Sequence, residues 1–167
     1  MLPFRLYITE LLDKPLPWKW TRQNDRAWVA QFKAPNDVVY DMDFDYFTIS
    51  REGEGPGARG IELTFAIDAH KCTPEVVNKV GSTFGVTGTG SEVEVFATVA
   101  DIFRSFIRTR STPPWEYLAF TATGSSRQRL YDTLFGMIKR SLPSDFKTDV
   151  HQDHRFHEKV YKIMRSS

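Results

Sequence analysis

Two stretches of this chain repeat their apolar residues at three- and four-residue steps. Elsewhere the apolar positions mostly alternate or fall in short runs. Val95, Phe96, Val99, Ile102, Phe103, Phe106 and Ile107 form the first helical stripe. Leu130, Tyr131, Leu134, Phe135, Ile138 and Leu142 form the second. Ser91 with Glu94, and Ser125 with Gln128, have the spacing of capping boxes that start helices. Arg104, Arg108 and Arg110 suit the negative end of the first helix dipole. Pro113-Pro114 and Pro143 stop the two helices, because proline lacks the N–H that continuation needs.

Between the helices, Tyr117–Thr123 is a short apolar run with the length of a buried strand. Helix, strand and helix joined by short turns predict a crossover unit whose helices cover a shared sheet. The sheet comes from the flanks. Trp18-Lys-Trp20 and Arg26–Phe32 surround a Gln23-Asn-Asp turn and predict a hairpin. Along Val38–Ile49, Tyr40, Met42, Phe44 and Tyr46 fall on one face, and Asp41, Asp43 and Asp45 on the other. Residues 51–60 have the composition of a flexible loop, and Ile61–Ile67 reads as a strand. Thr73-Pro-Glu resembles a helix start. Lys147–His151 and Lys159–Met164 read as two closing strands. The expectation is a single α+β domain over residues 1–167, with a mixed, mostly antiparallel sheet and two main helices.

Charge and composition narrow the function classes. With 22 basic and 21 acidic residues, the net charge gives no case for a general binder of nucleic acid or membrane. The lone Cys72 cannot form an intramolecular disulfide. No apolar run approaches the roughly 20 residues of a bilayer span, and no leader pattern opens the sequence. These features predict a protein of the cytoplasm.

Five features carry candidate chemistry. Gly88, Thr89, Gly90 and Ser91, and separately Ser126, stand where the chain enters a helix, where free N–H groups favour phosphate or carboxylate. Ordinary turns and caps explain the same residues, and neither nucleotide fingerprint is complete. His151, His154 and His157 would converge on a metal only if helical; a solvated hairpin with no metal is expected. Asp41, Asp43 and Asp45 are spaced about 7 Å apart along a strand, too far for all three to hold one ion. Arg127 and Arg129 lie near a helix start, where the dipole disfavours cations, and so point to an external partner. Trp18, Trp20, Trp28 and Trp115 exceed what one small core needs, which predicts an exposed aromatic patch at an interface.

Two resemblances arise on these residues. Val86-Thr-Gly-Thr-Gly90, Val95-Phe-Ala-Thr-Val99, Phe120-Thr-Ala and Ser126-Arg-Gln-Arg-Leu-Tyr131 together resemble small bacteriophage proteins of unassigned function. The order of elements is similar to that of GNAT-type acetyltransferases. In that family a glycine loop before the first core helix holds acyl-CoA pyrophosphate, and a tyrosine in a Leu-Tyr pair acts as acid. Here the glycines are present without the family's preceding Gln or Arg, and Leu130-Tyr131 matches the pair. The preferred expectation is a non-catalytic phage accessory protein on a GNAT-like scaffold. It would bind a host or phage protein through Trp115, Arg127 and Arg129, with nucleic acid the less favoured partner. The alternative is an acetyl-CoA-dependent N-acetyltransferase with Tyr131 as acid.

Overall fold

Asn24 closes the first turn. Its side-chain oxygen accepts from the N–H groups of Arg26 (2.9 Å) and Ala27 (2.8 Å), a local bond that short polar side chains favour. The flanking runs become β1 (Trp18–Gln23) and β2 (Ala27–Lys33), as the alternation predicts. The structure is a computed structural model, and it describes residues 14–48, 59–76, 92–109, 114–123 and 125–165.

Further elements follow in chain order. β3 is Val39–Thr48 and β4 is Arg59–Ile67. A 3₁₀ turn, Ala69–Lys71, follows. Thr73 then accepts from the N–H of Val76 at 3.3 Å, opening the helical turn at 74–76. Next come α1 (Glu92–Arg108), β5 (Tyr117–Thr123) and α2 (Ser125–Ser141). The hairpin of β6 (Phe146–Asp153) and β7 (Glu158–Arg165) closes the order. Arg59 and Gly60, expected in a loop, are strand residues. Backbone pairing to Thr48 and Phe47 outweighs the local glycine and proline composition there. The rest of that expected loop lies outside the described residues.

The seven strands form one sheet in the order β1-β2-β3-β4-β5-β7-β6. Only β4 and β5 are parallel; the other five neighbouring pairs are antiparallel. The architecture is therefore α+β with a mixed, mostly antiparallel sheet, and α1 supplies the crossover that a parallel pair requires.

Cross-strand partners share a face, so register sorts the sheet into two. Trp28 pairs with Phe44 and Phe44 with Leu63; Ile61 pairs with Leu118 and Leu118 with Ile163. All of these are buried. Both helices pack on that face: Phe106 of α1 stacks on Phe44 with ring centroids 4.0 Å apart, and Phe135 of α2 meets Phe120 at 5.9 Å. Two side-chain bonds lock α1 to the start of β1. Trp18 Nε1 donates to Asp101 at 2.8 Å, and the Leu16 N–H donates to buried Thr98 at 2.8 Å. The opposite face carries Gln31, Asp41, Asp43, Asp45, Glu62 and Thr64, exposed or half-buried.

The aromatic load corrects one expectation. Trp28 and Trp115 are buried, and half-buried Trp20 packs edge-on to Trp18 and Trp28, each at 5.2 Å. The tryptophans knit β1 and β2 to α1 rather than forming an exposed patch. Among the described residues, no helix is long and apolar enough to cross a membrane.

Candidate functional site

The parallel pair at the centre of the sheet is brief. Gly60, Ile61 and Glu62 pair with Tyr117, Leu118 and Ala119, and there the register ends. β4 runs on for residues 63–67 and β5 for residues 120–123 with no pairing between them. Side-chain packing accounts for the parting. Phe65 of β4 stacks with Tyr40 (5.1 Å, 13° between planes) and lies nearly parallel to Phe32. Phe120, the first residue of β5 past the pairing, stacks with Tyr161 of β7 (4.9 Å, 10°). Each strand is drawn to its own aromatic stack, on opposite sides of the opening.

The opening has a chemical consequence. Strand backbones present N–H and C=O groups to both sides, and those inside a protein must find partners. β3 serves one side of residues 63–67. Past Glu62, β5 does not pair with the other side.

Tyr131 borders the point of parting. Its ring lies 5.7 Å from Phe120 and 6.3 Å from Tyr161, and it is buried. The helical period of α2 puts it there, one turn before Phe135 on the same face. Beside it is a polar network that sequence reasoning missed. The Tyr161 hydroxyl donates to Asp132 Oδ1 at 2.6 Å and lies 3.1 Å from the Gln128 carbonyl. Lys159 Nζ donates to the same carboxylate oxygen at 2.6 Å. Partial burial works against ionisation of Asp132, but the hydrogen bonds from Lys159 and Tyr161 outweigh it and hold its pKa below the usual carboxylate value. Burial, then the bond to Asp132, raises the pKa of Tyr161, so its phenol stays protonated at any physiological pH.

Tyr161→Phe tests the network. Removing the hydroxyl should lower stability by about 1 kcal/mol, the usual worth of such a bond to a partly exposed acceptor. Equilibrium urea unfolding measures it, and an unchanged midpoint would show that the bond contributes nothing. Gln128 was expected to cap α2. Its amide nitrogen donates to the carbonyls of Ala122 (3.4 Å) and His157 (3.1 Å), tying the helix to β5 and to the β6–β7 turn.

The other expected site residues scatter. Gly88, Thr89, Gly90 and Ser91 lie outside the described residues. Ser126 and Arg127 fall in the first turn of α2, and Arg129 is exposed on the same helix. Trp115, expected to face a partner, is 3% exposed. Its ring lies near Phe106 and Phe146, with the Arg165 guanidinium 4.8 Å from its centroid. No partner reaches it without opening the core. His151 lies on β6 while His154 and His157 lie in the following turn, all exposed. Among the described residues, no group of three or more His, Cys, Asp or Glu could hold a metal. No family model, curated protein or solved structure matches this chain.

Proposed function

We propose that the opening between β4 and β5 binds an acyl-CoA and that the chain is a GNAT-like N-acyltransferase. The observation that carries this reading is the end of the parallel register at Glu62 and Ala119, beyond which β4 and β5 run on without pairing to one another. An amide-bearing arm such as pantetheine can hydrogen-bond along such an edge as an added strand would. Three further features support the reading. The strand order is β1-β2-β3-β4-β5-β7-β6, with the parallel pair central. α1 links the two parting strands. Tyr131 stands at the parting point, against Phe120.

Acyl-CoA supplies an acyl group on a thiol leaving group. The chain's own part is to align that arm along β4, exclude water with Phe120 and Leu63, and hold the Tyr131 phenol where a departing sulfur needs a proton. A phenol can donate there, since thiols and phenols have comparable acidities.

Calorimetry with acetyl-CoA tests the proposal. The expected result is saturable heat with a dissociation constant well below millimolar, accompanied by a rise in Tm. No heat and no thermal shift up to millimolar ligand would remove it. The other reading, a non-catalytic phage accessory protein that binds a macromolecule, draws on Arg129, exposed near the start of α2. It requires capture of a host or phage protein that is lost in Arg129→Ala.

A further inference from the structure

The sheet has two outer edges, and they are built differently. β1, at one end, breaks register between Trp20 and Arg22, an irregularity of the kind that blunts an edge against further pairing. β6, at the other end, pairs with β7 through eight consecutive residues with no break and contains no proline. Among the described residues, no strand lies on its outer side. An unblunted outer strand of that length is a template for another strand.

The side chains of β6 point to which strand. Three large hydrophobic residues are exposed among the described residues, and two belong to this hairpin: Val150 at 42% and Phe156 at 60%. Lys147, Asp149, His151 and Asp153 share one face of β6, and Thr148, Val150 and Gln152 the other. In an antiparallel pair of two β6 strands about a twofold axis at Val150, the two Val150 side chains meet on the axis. Asp149 then lies opposite His151 of the second copy, Lys147 opposite Asp153, and Thr148 opposite Gln152. Every ionisable residue from 147 to 153 faces an opposite charge or an imidazole that can take one. Moving the axis by one residue to Asp149 sets the two Asp149 carboxylates against each other and Lys147 against His151. Such like-charge pairs are destabilising. Axes at Thr148 and Gln152 also oppose unlike charges, but they overlap only five (146–150) and three (151–153) residues of β6, against seven (147–153) for the axis at Val150; charge and length of overlap together favour that register.

We propose that two copies of this chain associate through β6, antiparallel about Val150, joining two seven-stranded sheets into one continuous sheet. The contact is isologous, so it closes at two copies and does not propagate. It leaves the β4–β5 opening untouched and stands independently of the acyl-CoA reading.

Sedimentation equilibrium of the full chain from 1 to 500 μM tests it. The expected result is a monomer–dimer equilibrium in that range. Val150→Lys places two cations on the axis and should weaken the dimer at least tenfold. Asp149→Lys should weaken it as well, since lysine would then face His151 of the second copy. Adding His151→Asp to Asp149→Lys should restore association to within about threefold of the parent, because the pair is reversed rather than removed. All three positions are exposed edge sites whose changes leave the core intact, and circular dichroism melts of each variant check this. A parent that stays monomeric throughout would overturn the proposal. So would a dimer indifferent to both single substitutions, or a charge reversal that fails to restore a dimer that Asp149→Lys has weakened.

Discussion

Phe106→Ala will lower the unfolding free energy by about 3 to 5 kcal/mol, a large part of what a domain this size has. The reason is the number of elements that converge on one ring. Phe106 is fully buried. It stacks on Phe44 of β3 at 4.0 Å and meets Trp28 of β2 edge-on at 5.9 Å. It also approaches Trp20 of β1 and Trp115 before β5, each at 6.4 Å. Truncation removes the ring's transfer free energy and leaves a cavity walled by large rigid aromatics. Such walls close poorly around a void, which places the loss high in the usual range. Urea unfolding should show a lowered midpoint with an unchanged slope. Phe47→Ala is the matched control, because Phe47 is 37% exposed, and it should lose far less. A loss under about 1 kcal/mol at Phe106 would mean that α1 is not held to the sheet by this cluster.

The elements that depended on local pattern were legible. Tyr40, Met42, Phe44 and Tyr46 alternate with three aspartates, and β3 is their strand with those faces. Tyr117–Thr123 matched its run at both ends, because a short apolar run between two amphipathic helices has little freedom of register. What needed the third dimension was less legible. Strand order is not written in any one strand, so the brief parallel contact of β4 with β5, on which the functional reading rests, could not be read from Ile61–Ile67 or Tyr117–Thr123 alone. The tryptophans misled for a related reason. Counting aromatics per core assumes a helix that covers few strands, whereas α1 gathers β1, β2 and β3 under Phe106. Tyr131 stood out through its period and its neighbours in sequence. Its neighbours in space, Asp132 with Tyr161 and Lys159, join segments 27 and 29 residues apart, and no local motif announces such a network.

Asp43→Asn will stabilise the protein at pH 8 by about 1 to 2 kcal/mol and leave its stability at pH 4 nearly unchanged. Asp43 sits at the centre of the polar face, between Val29 of β2 and Thr64 of β4. One carboxylate oxygen is buried with no hydrogen-bond partner. Burial first, then the charges of Asp45 and Asp41, raise its pKa from 3.8 to about 6; Asp68 adds to the rise, and only Arg22 opposes it. The rise sets the sign. Between pH 4 and 6 the folded state holds a proton that the unfolded chain releases, so stability falls as pH rises through that window. Above about pH 6 both states are ionised, and the folded one keeps a poorly solvated charge among like charges. For a fully enclosed carboxyl that difference would reach about 3 kcal/mol. Asp43 is only half-buried, and solvent screening reduces the figure to the range given. Asp41 shifts the same way, chiefly by burial, but Gln31 donates to it at 2.7 Å and offsets part of the effect. Asp41→Asn should therefore gain less at pH 8 than Asp43→Asn. Chemical unfolding of both variants at the two pH values decides the matter. An equal change at pH 4 and pH 8, or destabilisation at pH 8, would mean that Asp43 keeps its ordinary acidity and that the open face of the sheet solvates all three carboxylates.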